Sequence, residues 1–542
     1  MGLRVRMAIA IALLFALLFA ALMFLYVLLT LAGVITGQLV LIVPVAIAVV
    51  IVFLQWAVGP YILKWVYKIR WVDLDSELPM LAPFIRKVCE ENKVKVPRVG
   101  VIDDGNPNAF VFGHTRNHAN LVITRGVFTY CNQEEQVAVV GHEIGHIVHN
   151  DFVVMTIISV IPLIFYALYI GGRVMSRAAS RSRGRSSGQA ALIALAIAAI
   201  SFVVYFLSQL VVLLVSRYRE SWADDFSGRT TKRPSLLASA LVKIAYGLIY
   251  ENRGAGVESK GARRYENALM FSSARGSRSF VAATAGPTGE VQPDLVKRAM
   301  AWDLWNPWAK LVQLQSSHPL PAYRIKALGK LSNELGERPY VDFDLVKPEL
   351  YIDDFLKDLA AKHAWWIFGL LTLAFGFFYM RSLIFLPVAL IIASGLALAY
   401  FALYHYPTRF KPGTVADLIA DPKAGPVKGK PVILEGTIIG RGTPGLVWSE
   451  DLKLQDATGL LYLDYNQVLR VINFLVGLFG TQQLVGQPVR ATGWYRRYSI
   501  PYLDVYKLEF MQRTKTTYNM MVRLIISGIF LALGAVWLIA WL

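Results

Sequence analysis

The chain has 542 residues, of which 55% are hydrophobic and only 17% are charged, whereas about a quarter of the residues of a soluble domain carry charge. This composition excludes an ordinary soluble protein, and it indicates that the formal net charge of +18 faces anionic lipid rather than nucleic acid. The two cysteines, Cys89 and Cys131, are too few for a disulfide framework or a thiolate zinc site, so we interpret them as ordinary thiols.

The N-terminal part of the chain is predicted to cross a membrane twice. No charged residue occurs from Met7 to Leu63, and a helix of this length far exceeds the ~30 Å apolar core of a bilayer. The less apolar stretch GVITGQ (33–38) is a natural turn. We therefore assign residues 1–63 to two anchoring helices and not to a cleaved leader.

Five further apolar runs bring the predicted number of spans to seven. Two lie in residues 152–216, two in 364–404 and one in 518–542. The connection 173–185 contains five arginines and no acid, which argues against its translocation and allows a re-entrant hairpin for this pair. The uncharged runs on either side of this connection are long enough to span the bilayer. We give this length more weight than the charge of the connection, and we predict that both runs cross the membrane.

Two polar segments, 64–151 and 217–362, are predicted to form one mostly helical domain on one side of the membrane. The first segment begins with an amphipathic helical pattern and continues into a short strand, RVGVIDD. A hairpin follows, in which NAFVFG and ANLVIT are joined by a polar turn. Basic residues flank both ends of the N-terminal helix pair, so we expect this domain to face the cytoplasm.

Residues 408–515 are predicted to form a small β-barrel. Their strand-like stretches, with an apolar helical stretch after the third, resemble a five-stranded barrel of the OB type. Arg490, Arg496 and Arg497 are interleaved with aromatic residues, as in a stacking groove for nucleic acid. Because likeness of fold carries no function, we favour a tethered structural or recruitment module and expect no nucleic-acid partner.

The helix after the hairpin contains the pattern H-E-x-x-H. His142 and His146 stand four residues apart, so both rings project from one helix face and can bind one metal ion. Glu143 can take a proton from the water that such a metal activates. His149 lies about 10 Å further along the axis than His142, which makes it a poor third ligand. A pair of core histidines is the alternative interpretation.

A catalytic zinc site needs a third protein ligand, and SRYRESWADDFSG supplies a candidate directly after a predicted span. We expect Glu220 to begin a second polar helix there and to complete a set of two histidines and one carboxylate. Asp224, one turn on, can accept the second ring N–H of a ligand histidine and so fix its tautomer. A solvated helix with surface ion pairs is the alternative.

The chain carries, in this order, NPNAFVFG, GHEIGHIVHND, SRYRESWADD and SSHPLPAYRIKAL. This set, with the paired N-terminal spans, resembles the HtpX family of membrane metallopeptidases, which are relatives of the CAAX prenyl proteases. The resemblance covers roughly residues 1–330 and implies a zincin-type endopeptidase with one zinc ion. The implied site residues are the ligands His142, His146 and Glu220, the base Glu143, Asp224 behind the ligands, His318 and Arg324 as transition-state support, and Asn108 as a substrate-binding residue.

Chemistry alone offers more than one role for two of these residues. His318 could donate a hydrogen bond to the oxyanion, and Arg324 could hold a nearby carboxylate. The segment HPLPAYR could equally be an ordinary helix start with Pro319 in its first turn. Asn108 precedes a strand whose edge could bind an extended substrate by strand addition.

The resemblance implies that the substrates are damaged or misfolded membrane proteins, and we expect the protein in the cell membrane. Two alternatives stay open. One is a CAAX-type prenyl-protein protease that uses the same site, and the other is a non-enzymatic membrane scaffold whose binding module is the OB-like unit. Residues from about 360 to 542 have no counterpart in the basic pattern of the family, and no residue predicts an oligomeric state.

Overall fold

The computed structural model describes residues 3–31, 39–181, 187–254, 293–342, 351–375, 377–378, 386–441, 451–465, 484–498, 501–511 and 513–541. Its helices are α1 (Leu3–Leu31), α2 (Leu39–Val66), α3 (Leu74–Glu77), α4 (Ala82–Glu91), α5 (Arg125–Tyr130), α6 (Gln133–Val148), α7 (Asp151–Arg181), α8 (Ser187–Thr231), α9 (Pro234–Gly254), α10 (Pro293–Trp305), α11 (Pro307–Leu314), α12 (Pro321–Glu334), α13 (Ile352–Lys362), α14 (Ala364–Phe375), α15 (Leu386–His405), α16 (Val415–Ile419) and α17 (Asn519–Trp541). Its strands are β1 (Arg70–Trp71), β2 (Arg98–Ile102), β3 (Ala109–Gly113), β4 (Ala119–Thr124), β5 (Lys411–Pro412), β6 (Lys430–Arg441), β7 (Leu452–Gln455), β8 (Leu460–Asp464), β9 (Pro488–Arg497), β10 (Pro501–Glu509) and β11 (Thr514–Thr516).

The architecture is a helical, multi-pass membrane protein, as the composition predicts. Within the described residues, α7, α8, α15 and α17 are long and apolar enough to cross a bilayer. The helices α1 and α2, of 29 and 28 residues, follow the uncharged N-terminal run. The helix α14 covers part of another predicted span, and residues 379–385 after it lie outside the described residues. The total of seven spans therefore stays a prediction.

The helices α7 and α8 form an antiparallel pair that joins the membrane to the site. We expected Glu220 to begin a separate polar helix, and this expectation is wrong. It lies on α8, which runs unbroken for 45 residues because no proline occurs before Pro234. At about 1.5 Å per residue, α8 is about 67 Å long, so its apolar part and Glu220 are parts of one rod.

A four-stranded sheet in the order β1-β2-β4-β3 lies beside α6. The hairpin β3–β4 is confirmed: its strands are antiparallel, with Ala109 opposite Ile123 and Gly113 opposite Ala119. The strand β3 is the edge of the sheet. The amphipathic stretch that we predicted as one helix is divided into α3 and α4 around Pro79, since the residue before a proline disfavours helical backbone.

The C-terminal strands close into a five-stranded barrel, which confirms the predicted small β-barrel. The strand β6 pairs with both β7 and β9, while β10 pairs with both β9 and β8, and β7 pairs with β8, so the ring has no open edge. The pair β8–β10 is parallel and the others are antiparallel. The helix that we predicted after the third strand falls on residues 466–483, outside the described residues, and the OB-like assignment stays an interpretation.

Two of the three arginines of β9, Arg496 and Arg497, are buried, so the stacking groove considered for this strand is wrong for these two, whereas Arg490 is exposed. Arg496 is 0% exposed and donates to Asp504 and to the carbonyl of Val427. Arg497 is 4% exposed and reaches α10, where it pairs with Asp303 at 3.4 Å. Both side chains thus pack on neighbouring elements, and neither guanidinium is accessible to a base.

The barrel docks on α10 and α11 of the peptidase part. Trp302 Nε1 donates to the carbonyl of Ala424 at 2.7 Å, and Asn306 Nδ2 donates to the carbonyl of Pro422 at 2.8 Å. These donors are buried, as is Arg497. The C-terminal unit is therefore in close contact with the helices that precede His318.

Candidate metal centre

The helix α6 is fixed at its start by a capping box. The Asn132 side chain accepts the N–H of Glu135, and the Glu135 carboxylate accepts the N–H of Asn132. Glycine at position 145 permits a close approach to α8, because a Cβ there would lie 3.3 Å from Ala223 Cα. The glycine at position 145 thus lets the face of α6 that carries the histidines pack against the face of α8 that carries Glu220.

Three ligand-type side chains converge on one point. The Nε2 atoms of His142 and His146 are 3.1 Å apart, and the Glu220 carboxylate oxygens lie 3.6 Å from the first and 3.5 Å from the second. Ligands bound to a tetrahedral zinc at about 2.0–2.2 Å are separated by about 3.3–3.6 Å from one another. All three side chains are buried, and the donor set fits a zinc ion.

Each histidine is oriented by a carboxylate on its other ring nitrogen. His142 Nδ1 lies 2.9 Å from Asp224 Oδ1, and His146 Nδ1 lies 2.5 Å from Asp151 Oδ2. When Nδ1 donates its hydrogen, Nε2 keeps the lone pair that a metal needs. Burial lowers the pKa of His142, but the hydrogen bonds to Asp224 and Glu220 outweigh it and raise that pKa to about 9.

The role of Asp151 was missed by the sequence reasoning. Asn150 has a φ of 56°, a left-handed conformation that Asn tolerates, and it breaks the chain between α6 and α7. The next residue, Asp151, is thereby turned back towards His146 on the preceding helix. Its position directly after HIVHN was the available signal.

Two arginines near the site, the buried Arg324 and the partly exposed Arg219, hold these carboxylates. Arg324 makes a two-pronged contact with Asp224, from Nε at 2.8 Å and from Nη2 at 2.6 Å, while its Nη1 is 3.9 Å from Glu220. Arg324 is 2% exposed, so of the two roles offered by its chemistry the geometry favours carboxylate holding. Arg219 Nε lies 3.2 Å from Asp151.

Glu143 and His318 line the cleft in front of the ligands. Glu143 has a carboxylate oxygen that lies within 4.8 Å of ring nitrogens of both His142 and His146. Burial raises the pKa of Glu143 above its ordinary value of 4.5, and the two histidines offset part of this rise. His318 Nδ1 lies 3.0 Å from Glu220, so this residue contacts a ligand as well as the cleft.

Arg217 fixes the loop that precedes His318, and the sequence reasoning missed it. Its Nη1 donates to the carbonyls of Gln313 and Ser316, both at 2.8 Å, at the C-terminal end of α11. This guanidinium is buried and lies on the same helix as Glu220, three residues earlier. One helix therefore positions a metal ligand and the neighbouring loop together.

The remaining candidates lie at the rim or away from the ligands. Asn108 is 2% exposed, and its backbone N–H donates to Thr124 Oγ1 at 2.7 Å, which fixes the start of β3. The edge strand itself lines a cavity of about 390 Å³ that also contains the ligand residues. His149 caps the end of α6 and stacks on Trp222 with ring centroids 3.7 Å apart, away from the other two histidines.

Comparison with known proteins places the peptidase part of the chain. Residues 78–332 match peptidase family M48. A protease HtpX homolog of Methanothermobacter thermautotrophicus is 33% identical, and the match covers 39% of this chain and 77% of that homolog. A protease HtpX homolog of Aeropyrum pernix is 32% identical, and the match covers 54% of this chain and 86% of that homolog. The crystal structure of S. mikatae Ste24p is 17% identical with a TM-score of 0.33, over 60% of this chain and 66% of that one, a likeness too slight to carry an argument. The resemblance seen in the motifs is thus confirmed, and the chain belongs to peptidase family M48 as a membrane metallopeptidase of the HtpX type.

Proposed function

We propose that this protein is a zinc endopeptidase that hydrolyses peptide bonds of damaged or misfolded membrane proteins. The observation that carries the proposal is the convergence of three buried side chains, with distances of 3.1–3.6 Å between their ligand-type atoms and with each histidine oriented by its own carboxylate. A core histidine pair would need neither the shared focus nor two dedicated acceptors. The relatives are protease HtpX homologs, which supports hydrolysis of peptide bonds.

The metal site is proposed to consist of His142, His146 and Glu220. Zinc bound there supplies Lewis-acid polarisation of the scissile carbonyl and of the attacking water. Asp224 and Asp151 accept the Nδ1 hydrogens and keep both Nε2 atoms available. Because the two carboxylates are in turn held by arginines, the ligand geometry is set before any substrate arrives.

Glu143 is proposed as the general base. Its carboxylate lies in the cleft beside the ligands, and it can take a proton from the attacking water and later give it to the leaving nitrogen. His318 is proposed to support the oxyanion and, through its contact with Glu220, to orient this ligand.

We place the protein in the cell membrane with the catalytic domain in the cytoplasm. The supporting pattern is the set of basic residues at the outer ends of the N-terminal helix pair: Arg4, Arg6, Lys64, Lys68 and Arg70. The lipid bilayer and unfolded or membrane-bound protein substrates are the partners that this placement requires.

The experiment is to measure zinc content and hydrolysis of an unfolded protein by detergent-purified full-length protein. We expect about one zinc per chain and cleavage that a chelator abolishes and added zinc restores. A prenylated CAAX peptide tested beside the unfolded protein separates the prenyl-protease alternative, which requires preferential cleavage of the lipidated peptide. Zinc-free protein, or zinc-loaded protein that cleaves neither substrate, would contradict the proposal.

A further inference from the structure

The cleft that contains the metal-site residues has an apolar wall built from the ends of membrane helices. Leu63 of α2 and Phe152 and Met155 of α7 line it, together with Phe110 and Phe112 of β3. Leu63 is the last residue of the uncharged N-terminal run, and Phe152 is the first residue of the uncharged run of α7. The cleft therefore lies at the level where the apolar parts of these helices end.

The hairpin β3–β4 extends from this level along α2 towards the membrane. At its tip, the carbonyl of His114 accepts a hydrogen bond from Trp56 Nε1 at 3.2 Å, and His114 Nε2 lies 3.1 Å from the carbonyl of Ala57. Trp56 is about two helical turns, or about 10 Å, inside the uncharged run.

The edge strand β3 thus connects the metal site with the membrane surface. It has five residues and spans about 16 Å at 3.3 Å per residue. A chain that pairs with this edge would run directly between the bilayer and the cleft. A substrate whose membrane-spanning helix leaves the bilayer beside α2 could pair with β3. Only the first residues after that helix would have to be extended.

We infer that the cleft binds the extended stretch that directly follows a membrane-spanning segment of the substrate, and that the bond cut lies within about five residues of the apolar end of that segment. The limit of five residues comes from the length of β3. The apolar wall of Phe152 and Met155 accepts an apolar side chain next to the cut bond. This inference rests on the proposed endopeptidase function and narrows its substrate class.

The test uses the full-length protein in lipid vesicles and a series of single-span reporter proteins. Each reporter carries the same Leu-containing susceptible stretch, separated from the end of its membrane segment by 0, 5, 10 or 15 polar residues. We expect cuts within about five residues of the membrane segment in every reporter. Cleavage should be about tenfold slower in the reporters whose Leu lies beyond that limit of five residues. Cuts that follow the susceptible stretch to every distance would overturn the inference.

A matched pair of variants tests the wall. Met155→Gln should lower the preference for Leu over Ser at the cut site by about tenfold. Ile157→Gln, on the same helix but 54% exposed, should leave that preference unchanged. Both variants should bind zinc as the wild type does. An unaltered preference for Leu in Met155→Gln would refute the role of the apolar wall. The position of the cut is tested separately, by the reporter series with the wild-type protein.

An unfolded soluble protein is assayed in parallel to separate the two levels of the argument. If the wild type cleaves this protein but cuts the reporters without regard to distance, or not at all, only the present inference fails. If the wild type cleaves neither, whether or not it holds zinc, the proposed function fails with it.

Discussion

Replacing Asp151 by Asn tests whether the carboxylate at the start of α7 belongs to the metal site. The substitution preserves the shape of the side chain but replaces the charged carboxylate by a neutral amide. In the wild type, the carboxylate oxygen Oδ2 lies 2.5 Å from His146 Nδ1 and accepts its hydrogen. Loss of such an outer partner lowers metal affinity by about 10–100-fold, or about 1.4–2.7 kcal/mol. The effect should be mostly on the metal, because the other contact of Asp151 is to Arg219, whose side chain is 13% exposed and can be solvated.

Competition with a chromogenic chelator measures the zinc affinity, and thermal unfolding of the metal-free protein measures stability. Asp225→Asn is the matched control, because Asp225 lies on α8 beside Asp224 but pairs with Arg229 on the surface. We expect wild-type affinity in the control and a weakened site in Asp151→Asn. Equal affinity in the two variants would refute the assignment of Asp151.

Four further predictions concern the base, the third ligand, the barrel contact and the topology. Glu143→Gln should keep about one zinc and lose most of the hydrolysis, and loss of the metal would speak against a base. Glu220→Ala should lower zinc affinity sharply and His149→Ala should not; the reverse order would show that the site is wrongly drawn. The pKa of Asp303, which burial raises to about 6 against the opposing effect of its arginine partner, lies above the unfolded value of 3.8, so its contribution to stability is complete below pH 3.8 and is lost as pH rises through 6. Asp303→Asn should therefore flatten the pH dependence of unfolding between about pH 4 and 6, and an unchanged slope would contradict the assignment. A cysteine at Ser180 should react with an impermeant thiol reagent from outside intact cells if α7 and α8 cross the membrane, whereas labelling only after permeabilisation would indicate a re-entrant hairpin.

The parts of the site that could be predicted from the sequence are those that depend on helix geometry. The spacing of His142 and His146 places two rings on one face of α6 in any fold that keeps this helix. Glu220 and Asp224, also four residues apart, present two carboxylates in the same way. The ordered motifs then suggested that the two helices meet, and the structure brings them to within hydrogen-bonding distance.

Other contacts could not be read from spacing because they depend on how distant elements pack. Asp151 reaches His146 only because the left-handed Asn150 reverses the direction of the chain. Arg217 binds carbonyls almost a hundred positions later in the sequence, at the end of α11. The continuity of α8 through Glu220 was mispredicted for a related reason, since a change from apolar to polar composition marks the membrane surface and not the end of a helix.

The arginines of the barrel show why composition alone misjudged β9. A strand that mixes Arg with Trp and Tyr has the same pattern whether its side chains face solvent or a neighbouring domain. In this chain the decision comes from α10, which supplies the Ala299 carbonyl and the Asp303 carboxylate to Arg497. Burying a guanidinium without partners would lower the stability of the fold by about 3–5 kcal/mol, so Arg497 requires the acceptors that α10 supplies. This contact joins the barrel to the helices that lead to His318.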